Sequence, residues 1–270
     1  MTVCDEHAKR ISNNIAQMAN DKDFQGLSNI WLREGVRYEY PLNFSWLGRP
    51  YIQIPQDIYA LQEIIWQVKP DLIIETGIAH GGSLMMSASM LALLDYCDAV
   101  ESCQHIDPLQ TKRLVLAVDI DIRNHNRSAI EAHPMRHLIK MIQGSSIASD
   151  IVDRVNLIAK EYSRILVCLD SNHTHDHVLA ELEAYAPLTS RGSYCIVWDT
   201  GIEDMPADFS KDRPWGKGNN PKTAVWEYLR SLASGIRTGA DGTTLNFEID
   251  HQIENKIVIT GAPDGFLRRR

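Results

Sequence analysis

The sequence predicts an α/β fold built on a seven-stranded, mostly parallel sheet with helices on both faces, and three observations carry that expectation. From residue 72 onward, short apolar runs alternate with stretches of helical period. The first run, Leu72-Ile-Ile-Glu-Thr, breaks into a glycine-rich turn, Gly77-Ile-Ala-His-Gly-Gly-Ser83, and then into a helix-forming segment. The last two strand-like runs, 245–250 and 255–260, are separated only by a polar break, so they pair antiparallel at one edge. Strand and helix in alternation require parallel strands with right-handed crossovers.

The elements follow in order. Residues 6–20 read as an amphipathic helix. Residues 28–53, with Trp31, Tyr38, Tyr40, Phe44 and Trp46, read as an irregular aromatic stretch that caps the core or forms a wall over a site. The chain thus divides into a helical and aromatic capping segment, 1–54, and a main domain, 55–270. The spacing Ile58, Leu61, Ile64, Ile65, Val68 predicts a helix over 55–68, ended by Pro70-Asp71. Strand 72–75, helix 83–94, strand 114–118, helix 124–132, strand 138–142, helix 150–161, strand 164–169, helix 174–186 and strand 193–198 come next. A Pro- and Gly-rich loop at 212–221 then leads into a helix at 222–233.

Composition bounds the function. A chain of 270 residues, 44% hydrophobic, buries one substantial core. A net charge of −8 argues against nucleic acid or an anionic membrane as main partner and leaves small molecules. No stretch approaches 18 uninterrupted apolar residues and the opening residues lack a signal-peptide core, so no membrane insertion and a cytoplasmic location are expected. Five cysteines without C-x-x-C spacing form neither a disulfide frame nor a zinc knuckle, and Cys168 and Cys195 read as core fillers.

In open α/β sheets, ligands bind beyond the carboxyl ends of the strands, and each strand here ends in polar residues. The glycine turn matches neither G-x-G-x-x-G nor the phosphate loop. Its acid, Glu75, stands two residues before Gly77. A carboxylate there repels a pyrophosphate but holds an ammonium group, as in the methionine part of S-adenosylmethionine. Gly77, Gly81 and Gly82 permit close backbone approach, and Ser83 opens a helix whose amides point at the site. The second strand ends in Asp119-Ile-Asp121, where Asp119 suits ribose hydroxyls, although helix capping by Asp121 or Asn124 explains one of the acids. After the third strand, Gln143-Gly-Ser145-Ser146 suits an adenine edge or a simple turn.

The fourth strand runs into Asp170-Ser-Asn-His173-Thr-His175-Asp-His177. This is one residue short of the zinc motif H-x-H-x-D-H. On a helix from 174 the three imidazoles diverge by about 200° per two residues, so they cannot share one ligand. His173, in the loop, is the candidate participant, His177 a supporting group, and His175 a solvated one. The fifth strand ends in Asp199-Thr200. Asp170 and Asp199, at neighbouring strand tips, suit Mg²⁺, unless each only caps the following helix.

Several segments together resemble the cephalosporin hydroxylase family. They are the glycine turn Glu75 to Ser83, Val-Asp119-Ile-Asp-Ile-Arg, Leu-Asp170-Ser-Asn-His173 and Pro-Trp215-Gly-Lys-Gly-Asn-Asn-Pro221. Phe44-Ser-Trp-Leu-Gly-Arg-Pro50 and Ala262-Pro-Asp-Gly-Phe-Leu267 belong with them. The resemblance spans roughly residues 38–268. It implies the class I S-adenosylmethionine-dependent methyltransferase fold, with relatives that methylate macrolide sugars and rhamnose, many of them Mg²⁺-dependent homo-oligomers. Carried over by position, Asp170 contacts cofactor and metal, Asp199 is a second metal ligand, and His173 is the base that deprotonates a sugar hydroxyl. One departure stands out. Sugar-methylating relatives carry Glu-Asp after the fifth strand, whereas here Trp198 precedes Asp199, leaving Glu203 or Asp204 as substitutes.

The expected activity is S-adenosylmethionine-dependent O-methylation of a sugar, polysaccharide or glycosylated natural product or lipid. Proximity of donor and acceptor supplies most of the acceleration, and His173 with Mg²⁺ activates the hydroxyl. Two other readings are an oxidative hydroxylase using Asp170, His173 and His177, and a non-catalytic cofactor-binding protein. Trp31, Tyr38, Tyr40, Trp46 and the Trp215 loop are the aromatic groups available to stack on a sugar or to fill the core.

Overall fold

The chain begins with two consecutive helices, α1 (Val3–Asn20) and α2 (Lys22–Arg37), in a computed structural model that describes residues 3–270. Met1, Thr2 and the side chains of Val3 and Cys4 lie outside that description, and with them the expectations for the first residues and for Cys4. Asp21 caps α2 by accepting a hydrogen bond from the Phe24 amide at 2.9 Å. The stretch expected to be irregular from 28 is therefore helical to Arg37. Phe24, Ser28, Leu32 and Val36 recur every fourth residue, while Gly26 and Gly35, poor helix formers, mask the period. A single 3₁₀ turn and a hairpin follow, β1 (Ser45–Trp46) with β2 (Arg49–Pro50). Its two turn residues, Leu47 and Gly48, both have positive φ, as a tight hairpin requires.

The remaining elements are α3 (Pro55–Val68), β3 (Leu72–Thr76), α4 (Gly82–Glu101), β4 (Leu114–Asp119), α5 (Asn124–Glu131), β5 (Ile139–Gln143) and α6 (Ser149–Ala159). After them come β6 (Ile165–Leu169), α7 (His175–Tyr185), β7 (Tyr194–Val197), α8 (Pro221–Ser234), β8 (Phe247–Ile249), α9 (His251–Ile257) and β9 (Phe266–Arg269). One seven-stranded sheet has the order β5-β4-β3-β6-β7-β9-β8. The first five strands are parallel, and β9 runs antiparallel to both β7 and β8.

The antiparallel edge is where the sequence predicts it, but its second strand is not. Residues 251–257 form a helix, because the Asp250 carboxylate caps it through the Gln252 amide at 3.0 Å. The final strand comes instead from Phe266–Arg269, which threads between β7 and β8.

The central strands β3 and β6 are buried along their whole length, as a sheet covered on both faces demands. One face packs Ile73, Val115 and Leu166 against α3 and α4; the other packs Leu72, Ile74 and Val167 against α6, α7 and α8. Helix α4, Gly82–Glu101, is long and apolar enough by length and composition to cross a membrane. Its Leu84, Met85, Met86, Ala88 and Leu91 are instead buried in the core. Cys168 and Cys195 are buried free thiols on adjacent strands, as core fillers should be.

Candidate active site

The strand order reverses between β3 and β6, and a crevice opens beyond their carboxyl ends. A cavity of about 610 Å³ occupies it. Its floor is formed by Gly77, Ile78, Gly82, Ser83, Asp119 and Asp170, and its walls by Tyr51, His173 and Asp199. Leu32 and Val36 of α2, with Met205, Phe209 and Trp215, add apolar lining, and Arg213 adds a charge. The capping segment is thus one wall of the site.

The glycine turn is shaped by protein neighbours. A Cβ at Gly77, whose φ is +87°, would stand 2.0 Å from the Asp170 carbonyl oxygen. One at Gly82 would meet the Pro50 carbonyl oxygen at 2.3 Å, and one at Gly81 would meet the Ile130 side chain at 2.7 Å. The sequence reading assigned this space to a ligand. The structure fills it with the backbone of Asp170, just beyond β6, with Ile130 of α5 and with the hairpin, although Gly77 and Gly82 also line the cavity. From outside, Arg49 holds the turn: its Nε donates to the His80 carbonyl at 2.8 Å and its Nη2 to Asn126 Oδ1 at 2.9 Å. Asn126 Nδ2 donates in turn to the Ala79 carbonyl at 2.8 Å. Sequence reasoning assigned no role to Arg49 or Asn126; the signal was Arg49 inside the Leu-Gly-Arg-Pro run.

Glu75 lies behind the cavity surface, 4% exposed, and accepts a hydrogen bond from the Ser83 hydroxyl. Burial pushes its carboxyl up to about 7, against the opposing effect of that hydrogen bond. It reaches the cavity through Ser83, which does line it. Asp119 Oδ2 accepts from the Ile78 amide at 2.7 Å and Oδ1 from the Asp121 amide at 2.9 Å. Each oxygen keeps a further lone pair, so the same carboxylate fixes the turn and faces the cavity.

Ser145 does not line the cavity. Its neighbour Ser146 is 4% exposed and bonds His177 Nε2 at 3.0 Å, beside Ser171, which donates to Glu181 at 2.6 Å. The three histidines diverge. His177 turns to Ser146; His175 engages α8 through Thr223 at 2.8 Å and Glu227 at 3.2 Å, not solvent as expected. His173 alone points to the site, with Nε2 3.2 Å from Asp199 Oδ2 and its ring edge-on to Trp215.

Asp170, His173 and Asp199 offer ligand atoms that lie within 4.8 Å of one another. Desolvation first, and then the charges of Asp199, Glu75 and Glu181, hold the Asp170 carboxyl well above the usual carboxylate range. A divalent cation relieves that repulsion, so the donor set fits a hard metal ion. The proposed substitutes for the missing carboxylate are committed elsewhere. Glu203 accepts from the Gly218 amide at 2.7 Å and from Asn220, and Asp204 pairs with Lys222 at 2.7 Å. Trp198 is buried against Phe266. Of the aromatic candidates for sugar stacking, Trp215 alone lines the cavity; Trp31, Tyr40 and Phe44 stack on one another, and Trp46 donates to Ser89.

A sheet of this order, with a glycine turn after its first parallel strand and acids at the following strand tips around one cavity, defines the class I methyltransferase fold. Two solved structures share it: cmcI-D160 with Mg and S-adenosylmethionine, at TM-score 0.53 and 16% identity, covers 85% of this chain and 77% of its own. The CmcI-N160 apo-structure, at TM-score 0.52 and 18% identity, covers 84% and 76%. Residues 38–270 match the family model described as Rhamnosyl O-methyltransferase/CmcI, and the chain belongs to that family. The Rhamnosyl O-methyltransferases of Mycobacterium tuberculosis (strain ATCC 25618 / H37Rv) and Mycobacterium leprae (strain TN) are each 28% identical to it. Each alignment covers 84% of this chain, with 80% and 83% of the respective relative.

Proposed function

We propose that this chain is an S-adenosylmethionine-dependent O-methyltransferase acting on a sugar hydroxyl, assisted by Mg²⁺. The observation that carries the reading is the convergence of Asp170, His173 and Asp199 at one cavity with the glycine turn and Asp119. Family membership and the rhamnosyl O-methyltransferase relatives support sugar as the acceptor class.

In this reading Asp119 would accept the ribose hydroxyls, and Glu75, through Ser83, would meet the ammonium end of the donor. Asp170 and Asp199 are the carboxylates that would hold Mg²⁺, which when bound supplies positive charge against a developing alkoxide. His173 takes the hydroxyl proton at Nδ1, while its Nε2–H faces Asp199 Oδ2 at 3.2 Å, where the carboxylate stabilises the resulting imidazolium. The apolar lining of Leu32, Val36 and Trp215 would receive the rest of the acceptor. An oxidative reading through Asp170, His173 and His177 loses its ligand set, because His177 is turned to Ser146.

Calorimetry with S-adenosylmethionine, with and without Mg²⁺, tests the donor; a screen of free and glycosylated sugars, read as a mass gain of one methyl group, tests the acceptor. Absence of donor binding would sink the proposal. Two further expectations belong to it. A homo-oligomer is supported by the face of α2 on which Phe24, Leu27, Ile30 and Trp31 are exposed. A reducing, cytoplasmic setting is supported by the free thiols of Cys97, Cys103, Cys168 and Cys195.

A further inference from the structure

Gln53 is a polar residue of the cavity wall to which the proposed reaction gives no task. It follows the hairpin and is only 8% exposed. Its main-chain amide donates to the Pro41 carbonyl at 3.2 Å and to the Tyr51 carbonyl at 3.0 Å, and its side-chain Oε1 accepts from the Ile54 amide at 2.9 Å. The last bond sets the carboxamide's orientation, because its NH₂ group turned toward the Ile54 amide would meet donor with donor. Nε2 is left over. It donates to no described residue, and it is not sealed in the interior as Gln56 Oε1 and Asp57 Oδ1 are. The open space beside Gln53 is the cavity.

The fold puts this donor at one end of the site. A Cβ on Gly261 would stand 3.8 Å from Gln53 Oε1, and the Gly261 carbonyl accepts from the Gly201 amide at 2.9 Å, two residues beyond Asp199. Gly201 and Gly261 both line the cavity. Asp119 stands at the tip of β4 and Asp199 just beyond β7, and the order β4-β3-β6-β7 separates those strands by three spacings, about 14 Å. Gln53 therefore belongs with Asp199 and the acceptor, not with Asp119 and the donor's ribose.

We propose that Gln53 is a specificity-determining residue whose Nε2 donates a hydrogen bond to an oxygen of the acceptor sugar other than the one methylated; the inference rests on the sugar-methylation reading above. The hydroxyls of one sugar ring are alike in acidity, so a base alone does not choose among them. A second fixed donor does. Once the sugar covers the wall, a ring turned the wrong way leaves Nε2 without water and without a partner, and that loss selects the orientation in which one particular hydroxyl faces His173.

The test is a cycle between side chain and substrate. It uses octyl α-L-rhamnopyranoside and those of its monodeoxy analogues that keep the methylated hydroxyl, with transfer followed as S-adenosylhomocysteine released. Wild-type protein should lose about three- to tenfold in kcat/KM on one analogue; Gln53→Met should lose the same factor on the parent sugar and nothing further on that analogue, with calorimetric affinity for S-adenosylmethionine unchanged. Gln53→Glu keeps an acceptor for the Ile54 amide and removes the donor, and at about pH 8 it gives the same pattern if the Met variant does not fold. A merely structural role lowers every sugar by one factor. That result, or a wild-type enzyme indifferent to every deletion, overturns the assignment of Gln53. Wild-type protein that binds S-adenosylmethionine and methylates none of these sugars overturns the sugar-acceptor reading, and the role of Gln53 with it.

Discussion

Asp199 serves two neighbours: it shares a metal-sized space with Asp170 and accepts the imidazole of His173. In the proposed reaction the base and the charge that stabilises it are thereby coupled at one residue. His173→Ala should lower turnover by about 10²- to 10⁴-fold while calorimetric affinity for S-adenosylmethionine is unchanged; an unaltered rate and pH profile would remove His173 from the mechanism. Glu203 gives the converse test. Because it is tied to the Gly218 amide, Glu203→Gln should leave Mg²⁺ affinity unchanged, and a large loss in a calorimetric titration would make it a ligand after all. Asp57, fully buried under the Gly261 turn, has its carboxyl pushed up to about 7 by burial, against a hydrogen bond to Gly261. Its folded value lies above its unfolded one, so the stability from holding the proton is full below about pH 4 and is lost as pH rises through 7. The loss is of order 4 kcal/mol. Asp57→Asn should flatten the stability profile between pH 5 and 8 in denaturant unfolding, with the variant gaining on wild type at the alkaline end.

Among the elements, the parallel strands and their helices were legible because continuous apolar runs and helical periods are local signals. The two misread segments have local causes as well. Gly26 and Gly35 hid the period of α2, and residues 255–260 read as a strand although Asp250 caps a helix there. The placing of Asp119, Asp170, His173 and Asp199 around one cavity was legible, because each stands at a strand tip or just beyond it. Arg49 and Asp57 were not, because their contacts depend on an approach between the hairpin, α3 and the sheet ends that no spacing encodes. The turn between β3 and α4 shows how tight that approach is. Gly77→Ala places a methyl group on the Asp170 carbonyl at positive φ, and should cost about 3 kcal/mol or more, seen as a lower melting temperature together with lost donor binding.

At the scale of the whole molecule, α2 has two faces with different duties. Leu32 and Val36 face the cavity, whereas Phe24, Leu27 and Trp31 recur at helical spacing on a surface left open. A second copy covering that surface would brace the site wall from behind. Leu27→Glu with Trp31→Glu should shift the protein to smaller species in light scattering coupled to size-exclusion chromatography, and an unchanged mass would place any assembly elsewhere. The hairpin carries a broader consequence. Arg49 is clamped to the His80 carbonyl, and the Pro50 and Tyr51 backbone sits against Gly82, so the hairpin is stitched into the glycine turn proposed to receive the donor. Cut after residue 54, residues 55–270 would emerge with the donor turn untethered on one side and α4's first glycine facing solvent. Such a truncation should be recovered, if at all, as an aggregating remnant and not as a smaller enzyme.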